Sequence, residues 1–130
     1  MSNQQIVPDQ SSFSFYLGAD SVQSVAPQIP NGGGAFDCTG YGSTGVLEVM
    51  PTIATPAMDV QALPYTVVSA GPGGFVFSVT SINLANLIIE MGSLQYNGYI
   101  YESDGGGDTA LLWTGVVTIN ANNAQLKALI

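Results

Sequence analysis

The stretch 74–120 most constrains what this chain can fold into, because three strand-like segments surround one short helical pattern. Four of the five residues in 75–79 are aromatic or β-branched, and such residues suit a pleated, half-buried strand. The helical pattern consists of apolar residues spaced at i, i+3, i+4 and i+7: Leu84, Leu87, Ile88 and Met91. Asn83 is predicted to cap the start of this helix, and Gly92 is predicted to end it.

The second part of the stretch predicts two further strands joined by a tight turn. Residues 98–102 form the first of these strands, and residues 104–108, which are all Asp or Gly, form the turn. The return strand covers 109–119, and its odd positions are apolar or glycine: Leu111, Trp113, Gly115, Val117 and Ile119. This period of two predicts one buried face, with Trp113 in the core.

Short motifs in the C-terminal half resemble a known family. They are Gly74-Phe75-x-Phe77, the helix ending near Gly92, Gly98-Tyr99-x-Tyr101, a Gly/Asp turn and Leu112-x-x-Gly115-x-Val117-x-Ile119. In this order they resemble the immunoglobulin-like β-sandwich of tailed-bacteriophage structural proteins, both baseplate domains and small stand-alone virion proteins. The resemblance implies an all-β, antiparallel sandwich with a structural role in a virion. The N-terminal half departs from the pattern, since it lacks the usual charged turns and Gly32-Gly33-Gly34 has no counterpart.

The chain as a whole predicts one domain with an arm and a tail. Its 130 residues are enough for a single core without disulfides or metals. About seven strands and one short helix favour a sandwich or a barrel. Residues 1–11 are the predicted extended N-terminal arm, residues 12–120 the β-sandwich domain and residues 121–130 the C-terminal tail.

Both ends of the chain carry predicted interface residues. In the arm these are Ile6 and Val7, and the arm either frays or adds to a neighbouring subunit. In the tail they are Leu126, Leu129 and Ile130, which are helically spaced in an apolar end. Because such an end is seldom left in water, it docks either on its own domain or on a neighbour.

Tyr99 and Tyr101 are the third predicted interface group and share one face of their strand. One interpretation packs them in the core with their hydroxyl groups bonded to backbone, as corner tyrosines do in sandwiches. The other interpretation places them in an interface, where tyrosine is enriched.

The charge of the chain excludes several classes of partner. The net charge is -8, with Lys127 as the one basic residue and no Arg or His. Nucleic acids and anionic membranes are therefore not expected to bind. Charged residues make up only 8% of the chain, against about a quarter in ordinary soluble domains. Part of the surface is therefore predicted to be uncharged or covered by another chain.

Missing residue types also exclude most catalytic chemistry. Without His, neither a Ser-His-Asp nor a Cys-His arrangement exists in this chain, and one Cys cannot complete a zinc site. We therefore expect no enzymatic activity, no cofactor and no metal, with Cys38 as a buried thiol. Glu102, Asp104 and Asp108 allow a hard-cation site or a solvated hairpin turn, and their spacing, unlike that of an EF-hand, favours the turn.

Three functions compete on these grounds. The first is a capsid decoration (cement) protein on the virion surface, bound to the major capsid protein as a trimer or dimer and stabilising the phage head. The second is a tail, neck or baseplate adaptor. The third is a carbohydrate-binding module for host attachment, whose aromatic platform would be Tyr or Trp113. Synthesis is expected in the host cytoplasm, because the N-terminus lacks the basic and apolar segments of a secretory signal.

Overall fold

The computed structural model describes residues 6–39, 44–52, 60–103 and 109–129, and in these ranges the chain is mostly β. These ranges contain two short helices, one more than the sequence pattern predicted. The elements are β1 (Phe13–Tyr16), β2 (Ser21–Val25), β3 (Gln28–Ile29), β4 (Gly34–Ala35), β5 (Thr44–Pro51), β6 (Gln61–Gly71), β7 (Gly74–Val79), α1 (Ser81–Met91), β8 (Gln95–Ser103), β9 (Thr109–Asn120) and α2 (Asn123–Lys127). Neither helix is long and apolar enough to cross a membrane.

Seven of these strands form one sheet in the order β1-β9-β8-β5-β6-β7-β2. β1 runs parallel to β9, and the other neighbouring strands are antiparallel. The two edge strands, β1 and β2, contact each other, so that the sheet curls into a nearly closed barrel. β3 and β4 form a separate hairpin. The predicted antiparallel immunoglobulin-like sandwich is not confirmed, since a single curled sheet with one parallel strand pair surrounds the core.

Helix α1 follows the predicted apolar stripe and buries three of its residues: Leu84, Leu87 and Ile88. Gly92 ends the helix in the left-handed conformation, with a φ of 68°, as predicted. The predicted N-cap is wrong by three residues. Thr80 caps the helix, because its hydroxyl group accepts a hydrogen bond from the Asn83 N–H at 3.2 Å.

A β-bulge in the β8–β9 pair decides which residues of β9 face the core. Ile100 pairs with Trp113 but Tyr101 pairs with Leu111, so that Leu112 is the extra residue. Leu112 and Trp113 are both buried, whereas Leu111 is only partly buried. The predicted alternation therefore holds from Trp113 onward and is broken at the bulge, because a shift of one residue exchanges the two faces of a strand.

Trp113 lies fully buried in the core, as predicted. Its indole ring stacks on Phe13, with the ring centroids 4.1 Å apart. Gly98 and Gly115 are cross-strand partners that leave room for the ring, since a Cβ atom on them would lie 3.3 Å and 3.0 Å from indole carbons. The indole N–H donates to the Ser11 carbonyl at 2.7 Å, so the ring's polar atom is satisfied by the segment before β1.

Side chains of β2 close the seam between the two edge strands. The Tyr16 N–H donates to the Ser21 hydroxyl at 3.0 Å, and the Gln23 side-chain amide donates to the Ser14 carbonyl at 3.0 Å. Ser21 is the one buried polar residue in the described part of the chain. These bonds satisfy backbone groups of β1 that an open sheet edge would leave unpaired.

Asp9 extends this closure beyond the end of β1. Its backbone joins β9, with its N–H donating to the Leu112 carbonyl at 2.9 Å and its carbonyl accepting from the Thr114 N–H at 3.0 Å. Its carboxylate accepts from the Ser11 N–H and from the Ala26 N–H, each at 2.9 Å. Asp9 therefore links β9 to the end of β2 across the gap that the strands themselves do not bridge.

Replacing Asp9 with Ala should lower the free energy of unfolding by about 1 to 2 kcal/mol, because two backbone N–H groups lose a charged acceptor. The measurement is urea unfolding followed by the fluorescence of Trp113. Gln10→Ala is the matched control, because Gln10 is exposed and adjacent, and it should change stability by less than about 0.5 kcal/mol. Equal stability of the two variants would contradict closure by the Asp9 carboxylate.

Candidate interaction surfaces

Tyr99 and Tyr101 lie on the outer side of the barrel and contact each other. Their ring centroids are 5.2 Å apart and the rings meet edge to face at 72°. Tyr101 is 55% exposed and Tyr99 is half-buried. Two other tyrosines, Tyr65 and Tyr96, pack in the core, and the Tyr96 hydroxyl group donates to the carbonyl of Ser93.

Tyr99 and Tyr101 belong to a larger, nearly uncharged surface on three adjacent strands, which we call the β5–β6–β8 face. Its outward residues include Thr44, Val46, Glu48, Met50, Ala62, Pro64, Thr66, Asn97, Tyr99 and Tyr101. Cross-strand register places Glu48 beside both Ala62 and Tyr99. Glu48 is the single carboxylate on this face, and most of the other residues are apolar or aromatic.

Sequence reasoning missed the β5 and β6 residues of this face. The even positions of β5, Val46, Glu48 and Met50, share a side by the period of two. This alternation is visible in the sequence. The sequence pattern does not give the order of strands, which places β5 between β6 and β8.

The described part of the predicted arm lies along its own domain. Val7 pairs with Gln28 through two backbone hydrogen bonds of 2.8 Å and 3.0 Å. Ile6 is partly buried and packs against the core, whereas Val7 is 46% exposed. Residues 6–11 therefore lie on the barrel and are bonded to it, while the Val7 side chain is accessible to a partner.

The tail also docks on its own domain. Leu126 and Leu129 are partly buried and pack against the core, while Ile130 lies outside the described residues. Helix α2 begins with a capping box between Asn122 and Gln125, and the Gln125 side-chain amide donates to the Leu17 carbonyl at 2.9 Å. The Gln125–Leu17 bond joins the tail to the residue that follows β1.

The described residues show little else that supports chemistry. They contain no group of three or more His, Cys, Asp and Glu residues placed to hold a metal ion. Cys38 is fully buried, as predicted. The Thr39 hydrogen bonds lower the pKa of the exposed Asp37 carboxyl group. The predicted hairpin turn with Asp104 and Asp108 lies outside the described residues.

No protein-family model matches this chain, and a search of curated proteins found no match.

The buried hydroxyl group of Tyr96 should make the fold sensitive to alkaline pH. Burial raises the pKa of Tyr96 to about 12, and the hydrogen bond to Ser93 opposes part of this increase. Because the unfolded chain loses this proton near pH 10, at about the usual tyrosine pKa, the stability present below that pH is lost as the pH rises toward the folded-state value.

Tyr96→Phe should therefore flatten the decrease in unfolding free energy over this pH range, as measured by urea unfolding at a series of pH values. Tyr101→Phe is the matched control, since it removes the hydroxyl group of a largely exposed tyrosine. Identical slopes for the two variants would contradict the role of Tyr96.

Proposed function

We propose that this chain is a non-enzymatic structural subunit of a tailed-bacteriophage particle, and that it decorates the outside of the head. The observation that carries the proposal is the β5–β6–β8 face, a broad sheet surface with one carboxylate in a chain of net charge -8. The motifs of the C-terminal half resemble those of tailed-bacteriophage structural proteins, and this resemblance is the reason for proposing a phage particle. The subunit would be made in the host cytoplasm and reside on the capsid surface.

The scarcity of charge on this face lowers the cost of removing it from water. Burying an unpaired carboxylate is expensive, whereas burying apolar and aromatic side chains stabilises a contact. The β5–β6–β8 face requires one charge, that of Glu48, to be desolvated or paired. It therefore suits association with like copies, as a trimer or dimer, and with the major capsid protein.

Tyr96 also supports assigning the fold to the immunoglobulin-like class. In immunoglobulin-like sandwiches a tyrosine near the start of a strand bonds through its hydroxyl group to backbone a few residues upstream. Tyr96 makes such a bond to Ser93 at the beginning of β8. This supports membership of the immunoglobulin-like virion family, with the curled sheet as a variant of the sandwich.

The tail, neck or baseplate role is the alternative that the same surface favours, because an uncharged sheet face suits any tightly packed assembly. A carbohydrate-binding module is the third class. Trp113 is fully buried and cannot provide its platform, so an exposed tyrosine would have to do so.

Replacing Val46 with Glu should disrupt self-association, because it adds a second carboxylate beside Glu48 on the proposed contact surface. The measurement is the molar mass by light scattering after size-exclusion chromatography. Val22→Glu is the matched control, since Val22 is also exposed but lies on β2. Assembly through this face would be contradicted if the protein without substitutions is a monomer. It would also be contradicted if the two variants have the same molar mass.

Copy number separates the head from the tail. We expect on the order of hundreds of copies per particle, because decoration follows the repeated symmetry axes of the shell. The measurement is quantitative mass spectrometry of purified particles, with the major capsid protein as the internal standard. A few dozen copies or fewer would place the chain in the tail, neck or baseplate, and absence from the particle would remove both structural roles.

A further inference from the structure

A shallow groove at one end of the barrel lies where β1 and β9 stop and helix α2 begins. Its volume is about 440 Å³, and its lining residues are Tyr16, Leu17, Asn120, Ala121, Asn122 and Gln125. Tyr16 and Asn120 are register partners in the parallel β1–β9 pair, so their side chains emerge next to each other. None of the lining side chains is a carboxylate or an amine.

Three amide side chains in the groove are held in place by hydrogen bonds to the fold. The Asn120 amide donates to the Phe15 carbonyl at 3.1 Å, and the Gln125 amide donates to the Leu17 carbonyl at 2.9 Å. Asn122 accepts from the Gln125 N–H at 2.8 Å through its side-chain oxygen. Each amide is thereby oriented before any ligand arrives, which reduces the entropy lost on binding.

Each of two amides keeps a polar group that is available to a ligand. The bonds above occupy the Asn120 Nδ2 and the Asn122 Oδ1, so that the Asn120 Oδ1 remains an acceptor and the Asn122 Nδ2 remains a donor. The groove therefore presents one fixed acceptor and one fixed donor in the vicinity of an aromatic ring.

Tyr16 provides the apolar surface of the groove, with 59% of the residue exposed. Its backbone N–H is bonded to Ser21 in the barrel seam, so the residue is anchored while its ring faces solvent. Gly18 contributes space at the same end of the barrel. It has a φ of 101°, and a Cβ atom there would lie 3.2 Å from the Gln125 Nε2. Glycine thus leaves the bonded Gln125 in its position.

We propose that this groove binds a neutral saccharide. A sugar ring offers an apolar C–H face that packs on an aromatic ring, together with hydroxyl groups that both donate and accept hydrogen bonds. A purely apolar ligand would leave the oriented amides unpaired. An anion would meet no cation in the lining and would be repelled by the net charge of -8, and a cation would find no carboxylate there.

This site goes beyond the particle role proposed above and does not depend on it. The groove is formed by one chain, so a monomer and an assembled subunit both carry it. Failure to bind a sugar would leave the decoration proposal untouched, and loss of self-association would leave the groove intact.

The test is a two-dimensional amide NMR titration of the full chain with three neutral oligosaccharides: maltotriose, cellotriose and triacetylchitotriose. We expect at least one of them to shift the side-chain amide resonances of Asn120 and Asn122 in a saturable manner. No shift of these resonances with any of the three sugars, or shifts confined to other parts of the barrel, would overturn the proposal.

Two variants then identify the aromatic platform. Tyr16→Ala should weaken the binding of the responding sugar about tenfold, whereas Tyr16→Phe should stay within about twofold, because the ring is kept. Tyr101→Ala is the matched control, since Tyr101 is a similarly exposed tyrosine on the β5–β6–β8 face. Equal affinities for Tyr16→Ala and Tyr101→Ala would contradict stacking on Tyr16.

Discussion

Closure of the barrel seam is the constraint on which the rest of this structure depends. A seven-stranded open sheet would expose unpaired backbone along β1 and β2, and such edges recruit other chains without control. Here side chains do the closing, through Ser21 and Gln23 on β2 and through the Asp9 carboxylate beyond them. Two backbone groups of β1 and the Ala26 N–H beyond β2 are satisfied by hydrogen bonds of about 3 Å rather than by a regular strand ladder. The association that we propose would therefore use the outer faces of the sheet.

The N-terminal segment belongs to the core as much as to the surface. The Ser11 carbonyl accepts from the Trp113 indole, and the backbone of Asp9 pairs with β9. Removing residues through Ser11 would therefore disturb the central ring of the barrel in addition to any contact made by the arm. Two glycines, Gly98 and Gly115, complete the space for that ring. Because the Trp113 ring is buried, it cannot form a surface platform for a sugar. Any sugar would have to pack on an exposed tyrosine instead.

The two candidate surfaces share one chemical property, the scarcity of charge. The β5–β6–β8 face contains a single carboxylate, Glu48, and the groove beside Tyr16 contains none. They differ in shape and in polar content. The face is broad, with apolar and aromatic residues suited to another protein surface, whereas the groove holds oriented amides suited to a small hydroxylated ligand.

The sequence by itself determined the β-rich class, the helix that ends at Gly92 and the burial of Trp113, because each depends on local periodicity or on one residue's backbone preference. It also placed Tyr99 and Tyr101 on one face of a strand. Only the tertiary structure decided that β1 lies parallel to β9, that a bulge buries Leu112, and that α2 docks beside Leu17. These features depend on partners far apart in the chain, such as Asp9 with Ala26, and no local pattern encodes such pairings. The β5–β6–β8 face and the groove beside Tyr16 could not be predicted from the sequence for the same reason, since each is assembled from separate elements.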